Sequence, residues 1–155
     1  MNEDPSSFRV YLAAPLFNDS ERSFNLRLAE LISPMAEVFL PQRDGKLMRD
    51  LVRSGMPLTA ARELVFEADI NALKHCDCVV AVLDGRTVDE GVAFEIGYAR
   101  ALDKLCLGVK TDDRTLLATG DNPMIVAACN EIFGSVLELV HSLRGRLLSI
   151  RKLVG

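Results

Sequence analysis

Several things are missing from these 155 residues, and each absence excludes a class of protein. No apolar run approaches the roughly 20 residues needed to span a bilayer. There is no G-x-x-x-x-G-K-S/T loop, and no G-x-G-x-x-G follows the first strand-like segment. The chain instead reads Ala13-Ala14-Pro15-Leu16-Phe17 there, with proline where a dinucleotide site needs glycine. A phosphate-gripping nucleotidase and a dinucleotide dehydrogenase are both disfavoured. Positive charge is also short: 18 Lys and Arg stand against 22 Asp and Glu, a net charge of −4 and a pI of about 5.2. Nucleic acid as the main partner would need a clustered basic excess. The densest basic stretch, Arg144 to Lys152, reads as a solvated helix face.

What remains is an ordinary globular composition, 49% apolar and 26% charged, long enough for one domain with a real core. The opening MNEDPSS is acidic and polar, so residues 1–8 are expected to be a disordered leader and not a signal peptide. Residues 9–155 form the domain. Cys76, Cys78, Cys106 and Cys129 all fall in apolar segments, which fits reduced core thiols and a cytoplasmic protein. A metal reading would use His75, Cys76 and Cys78, but C-x-C spacing without a second pair is poor for zinc.

Strand-like and helix-like segments alternate. Strands are expected at Arg9 to Ala13, Glu37 to Leu40, Cys78 to Leu83 and Leu105 to Val109, with a weak fifth at Glu131 to Gly134. Helices are expected at Asn18 to Leu31, Thr59 to His75, Gly91 to Leu102, Met124 to Asn130 and Val136 to Leu153, and a short one at Leu47 to Val52. The apolar run Cys78 to Leu83 is read as a central parallel strand. This alternation implies right-handed crossovers in an open parallel α/β sheet, with ligands at the carboxyl ends of its strands.

The informative feature is acid where apolar residues belong. Val65, Asp69 and Leu73 lie four apart on one helix, so Asp69 shares a stripe with core-facing residues. Glu95 lies four from Gly91 and Ala99 and three from Val92 and Tyr98, again on the apolar side. Burying a carboxylate costs several kcal/mol unless partners satisfy it. Asp89 stands just before the helix of Glu95, in the loop after the central strand. Taken singly, Asp89 reads as a helix cap, and Asp69 and Glu95 as edge or salt-bridged acids. Together they point to a site at one strand end. Gly91, Ala93, Gly97 and Ala99 fit close packing or ligand approach there, since glycine within a helix costs up to about 1 kcal/mol against alanine.

The segments VYLAAPLF, EADINALKHCDCVVAVLDG, DEGVAFEIGYARAL and DNPM occur in that order between Val10 and Met124. They resemble the nucleoside 2-deoxyribosyltransferase family. The resemblance implies a doubly wound, flavodoxin-like sheet of about five strands and no metal or cofactor. It makes Glu95 the nucleophile that attacks C1′ of deoxyribose, with Asp69 managing the proton on the base and Tyr11 orienting the nucleophile. Asp89 would hold the sugar's 5′-hydroxyl, with Gly91 and Phe17 beside the substrate. Asn122 and Met124 would complete the site of a neighbouring copy, which implies a homo-oligomer built from dimers. The substrates would be a 2′-deoxynucleoside and a free purine or pyrimidine base. Two rivals stand beside this reading. One is a hydrolase of deoxynucleoside 5′-monophosphates, for which Arg86 could bind phosphate although Asp89 would repel it. The other is a non-catalytic nucleoside-binding module. Gln42, Arg43 and Asp44 could contact a base, but surface charge is their simpler reading.

Overall fold

The computed structural model describes residues 8–115 and 117–154, with side chains through position 150. Its five strands are β1 (Arg9–Ala13), β2 (Glu37–Phe39), β3 (Cys78–Val82), β4 (Leu105–Val109) and β5 (Glu131–Phe133). They form one all-parallel sheet in the order β2-β1-β3-β4-β5, the flavodoxin-like arrangement. The helices are α1 (Asp19–Ile32), α2 (Pro41–Asp44), α3 (Met48–Arg53), α4 (Leu58–His75), α5 (Glu90–Ala101), α6 (Pro123–Ala128) and α7 (Val136–Val154). All five expected strands are present. The one-turn helix α2 lies where the sequence reads as loop; Pro41 at its first position pre-sets the helical φ.

Residues alternate sides along each strand, and both faces are covered. Val10 and Leu12 of β1, with Val80 and Val82 of β3, pack against Leu28 and Ile32 of α1 and Leu139 and Leu143 of α7. Tyr11, Ala13, Val79 and Ala81 pack on the other side against Leu73 of α4 and Val92 and Ile96 of α5. This double burial is why β3 reads as five consecutive buried residues and not as an alternating pattern. Helix α1 begins with a reciprocal cap: Asn18 Oδ1 accepts from Glu21 N at 3.0 Å, and Glu21 Oε2 accepts from Asn18 N at 3.2 Å.

The sheet order reverses between β1 and β3, because β2 lies outside β1 while β4 and β5 continue beyond β3. Open parallel sheets bind ligands at such a switch point, beyond the strands' carboxyl ends. Phe8, assigned by sequence to the leader, packs against the α1/α7 side of the core; the rest of that leader lies outside the described residues. The four cysteines are buried and unpaired. Arg144 is exposed and Arg146 pairs with Glu131 at 2.7 Å, while the side chains of Arg151 and Lys152 fall outside the description. Among the described residues, no helix is long and apolar enough to cross a membrane.

Candidate active site

Tyr11 is fully buried on the α4/α5 face of β1. Its ring stacks on Phe39, its register partner on β2, with centroids 5.5 Å apart. Its hydroxyl donates to Glu95 Oε1 at 2.5 Å, a contact across 84 residues of sequence. Glu95 lies one turn into α5, so the hydrogen bond ties the helix to the strand beside the switch point. The other carboxylate oxygen, Oε2, has no hydrogen-bond partner among the described residues.

Asp69 approaches from α4. Glu95 and Asp69 line one cavity of about 320 Å³ with Met48, Arg62, Val65, Phe66, Ile70, Leu73, Gly91 and Phe94. The walls are mostly apolar, and that sets the electrostatics. Burial, first, pushes the Glu95 carboxyl up to about 7, and the charges of Asp69 and Asp89 add to it; the Tyr11 hydrogen bond acts in the opposite direction. Burial alone lifts Asp69 to about 6. Its Oδ1 is buried without a partner among the described residues, a cost that protonation or a ligand would relieve. Burial and the neighbouring Glu95 together raise the Tyr11 phenol far above its usual range, so it stays a proton donor. Perturbed carboxyls that share a mostly apolar cleft are the arrangement expected of acid–base and nucleophilic work.

Tyr11→Phe tests the hydrogen bond directly. Because that bond lowers the Glu95 value, its loss should move the carboxyl above 7, read by NMR titration of a labelled Glu95 side chain. Any turnover that needs Glu95 ionised should fall about tenfold at neutral pH. A value that stays put would show that the hydroxyl does not govern Glu95.

Asp89 caps α5 beside the site without itself lining the cavity. Its Oδ1 accepts from Gly91 N at 2.9 Å and Val92 N at 3.1 Å, starting α5, so the helix-cap reading of the sequence holds for one oxygen. Gly91 lines the cavity, and a Cβ there would stand 3.1 Å from that oxygen. Gly97 is different. The sequence reads it as permitting close packing or ligand approach, but it is exposed and a Cβ there would meet nothing within 4 Å. It lies on the outer side of α5, where no other residue of this chain packs against it.

Four further residues singled out by sequence do not line this cavity. Phe17 is 74% exposed after β1, and Arg86 is exposed in the loop after β3. Asn122 caps α6 through its side chain, accepting from Met124 N at 2.9 Å, and Met124 is 78% exposed. Gln42 is held inside the chain: its Nε2 donates to Arg22 O, and its Oε1 accepts from the buried Asn25. Arg43 pairs with Asp44 and donates to Val38 O at 2.7 Å. Neither side chain lines the cavity. Sequence reasoning missed the cavity walls Met48, Arg62, Phe66 and Phe94. Phe66 and Phe94, next to the two acids' stripes and with rings 6.1 Å apart, left a signal as aromatic residues on otherwise polar helix faces. Met48 and Arg62 left none. His75 offers Nδ1 to Asn71 O at 2.8 Å, and no cluster of metal-binding side chains occurs among the described residues. A larger cleft of about 600 Å³ lies under β2 beside Arg9 and His75, but it contains neither Glu95 nor Asp69.

The family model for nucleoside 2-deoxyribosyltransferases matches residues 10–140. The chain belongs to that family. Among solved structures, a conserved protein from Enterococcus faecalis superposes with a TM-score of 0.76 at 23% identity, over 91% of this chain and 99% of that one. The 2-deoxyribosyltransferase of Bacillus psychrosaccharolyticus gives 0.71 at 22% identity, over 85% and 90%. A CMP N-glycosidase from Clostridium botulinum gives 0.53 at 21%, over 88% and 98%. These similarities share the family's five-stranded fold, and the named enzymes among them transfer or hydrolyse glycosyl groups. No curated protein matches in sequence.

Proposed function

We propose that this protein breaks the N-glycosidic bond of 2′-deoxynucleosides and passes the deoxyribosyl group to an acceptor base, or to water, through an ester on Glu95. The reading rests on one juxtaposition. Two carboxyls raised by burial share an apolar cavity, and one of them is gripped through a single oxygen by a buried tyrosine. With Oε1 held by Tyr11, Oε2 is the oxygen left to attack.

In the first half-reaction Glu95 Oε2 forms a bond to C1′ as the C1′–N bond breaks. The electron pair leaves with the base, and Asp69 delivers its proton to the base nitrogen. Positive charge developing on the sugar is stabilised by the ionised Glu95 in a medium that screens it poorly. In the second, Asp69 takes the proton from the incoming base or water as that nucleophile displaces Glu95 from C1′. Two inversions give net retention. Asp89 is read as holding the 5′-hydroxyl: one of its oxygens is spent on the α5 cap, and no partner is seen for the other among the described residues.

Asn122 and Met124 are read as serving the cavity of a second copy. Neither lines this chain's own cavity, and Met124 is among its most exposed large apolar residues. A 5′-monophosphate hydrolase is kept as a second reading on one observation. Arg86, three residues before Asp89, is exposed and makes no hydrogen bond or ion pair among the described residues.

One experiment separates these. The purified protein is incubated with deoxyinosine, with and without adenine, and products are followed by chromatography while sedimentation reports its size. Deoxyadenosine formed only with adenine is the expected result, from an oligomer. Hypoxanthine alone, or cleavage of deoxynucleoside 5′-monophosphates in preference, would replace transfer by hydrolysis. No product from either substrate class would overturn the catalytic reading, and an active monomer would overturn the shared site.

A further inference from the structure

A group of charged residues with no part in the chemistry above lies where the loops after β3 and β4 meet. Lys110 follows β4 directly, and its side chain is 12% exposed. Its ammonium donates to Gly85 O at 3.1 Å, to Leu83 O at 3.5 Å and to Asp121 Oδ1 at 3.1 Å. From the other loop, Asp84 accepts from Thr111 N at 2.5 Å, Thr111 Oγ1 at 2.6 Å and Asp112 N at 3.1 Å. Gly85 turns between them with φ near +110°, a left-handed conformation that glycine adopts without side-chain cost. The first loop runs on to Asp89. Asp121 immediately precedes Asn122. One ammonium therefore joins the segment that ends at the α5 cap to the segment that opens α6.

Stability alone does not account for this. A largely buried Lys–Asp pair recovers little more than its desolvation cost, and an apolar pair of similar volume often serves as well. What the pair supplies is geometry. Its donors reach two carbonyls of one loop and a carboxylate of the other at once, which no apolar side chain can do.

We propose that Lys110 is a positioning residue, which fixes the Asp89 loop against the Asn122 segment and so governs capture of the sugar's 5′ end. The kinetic consequence rests on the reading of Asp89 given above; the clasp itself does not.

Lys110→Met keeps the stem and removes all three donors. With 2′-deoxyinosine its KM should rise about fivefold to tenfold, the scale of one ordinary net hydrogen bond lost at the 5′-hydroxyl, with kcat nearly unchanged. With 2′,5′-dideoxyinosine, which lacks the 5′-hydroxyl, the variant and the parent should have the same KM. Lys110→Arg should recover part of the loss. Equal losses on both substrates, or a fall in kcat alone, would overturn positioning through Asp89. Hydrogen exchange without substrate gives the second readout. Amides of residues 84–91 and 119–124 should exchange faster in Lys110→Met, while those of β1 and β3 do not change. Unaltered exchange in those loops would overturn the clasp. If Lys110→Met does not fold, Asp84→Asn weakens the same junction from the opposite loop and is read in the same two ways. A parent protein inactive on every deoxynucleoside would overturn the proposed function, while exchange would still decide the clasp.

Discussion

Glu95→Gln should bind deoxynucleoside and fail to turn it over. Glutamine keeps the shape of glutamate and can still accept from the Tyr11 hydroxyl, but its amide cannot form the ester at C1′. Loss of a nucleophile costs on the order of 10⁴-fold or more in kcat. Isothermal titration should find deoxynucleoside affinity within a few-fold of the parent's. If turnover survived the substitution, Glu95 would not be the nucleophile; if the parent also lacked turnover while both bound, a binding module would be the better description.

The same substitution has a thermodynamic signature with a definite sign. Burial raises Glu95 from 4.5 to about 7, so between those values the folded protein holds a proton that the unfolded chain has released. Stability therefore falls as pH rises through this window, and the full cost, of order 3 kcal/mol, is present above pH 7. Glu95→Gln removes that cost. At pH 8 its melting temperature should exceed the parent's by roughly 5–10 °C, and the difference should shrink toward pH 4. An unchanged or lower melting temperature at pH 8 would show that Glu95 carries no desolvation penalty.

The second large effect is at Asp69. On the proposed mechanism Glu95 is ionised to attack and Asp69 protonated to release the base, and burial raises the two carboxyls to about 7 and about 6. The parent's kcat/KM should therefore be bell-shaped, with its maximum between those values and both limbs belonging to the pair. Asp69→Asn should lower kcat/KM about 10²- to 10³-fold on deoxyinosine, the usual scale of a lost general acid. Its profile should also change form. The alkaline limb disappears, and the one remaining limb reports Glu95 alone, whose carboxyl falls below 7 because the charge of Asp69 no longer opposes its ionisation. A nucleoside of 7-methylguanine, whose base is already cationic and leaves without protonation, should lose far less. An equal loss on both substrates would remove Asp69 from proton transfer and leave it a binding role.

The legible part of this protein was the part written in local pattern. Cys78 to Val82 announced the central strand because both its faces are buried, and Asn18 announced the start of α1 through its capping box with Glu21. Asp69 and Glu95 stood out because a carboxylate on a core-facing stripe breaks the helical pattern that surrounds it. The residues at 42 to 44 carried no such pattern, and their engagement with Asn25, Arg22 and Val38 emerged only from the packing of α2 against α1 and β2. Gly97 packs against nothing in its own chain, and within a helical run a glycine at an internal contact and one on the outer face look alike.

By itself, then, the sequence determined the α/β class, the strand and helix succession and the family through its ordered motifs, and it singled out the three acids as candidates. All of these are properties of residues close in the chain, where period and spacing are set by backbone geometry. Tertiary structure alone decided that Phe66, Phe94, Met48 and Arg62 wall the cavity and that Lys110 ties two loops together, and it gave the hydrogen bond behind the Tyr11–Glu95 pairing that only the family resemblance had implied. It also decided how far burial raises each carboxyl. Each of these depends on residues from separate elements, brought together by crossovers between parallel strands. No short-range pattern encodes such a meeting, because its distances are set by the packing of the sheet and its helices.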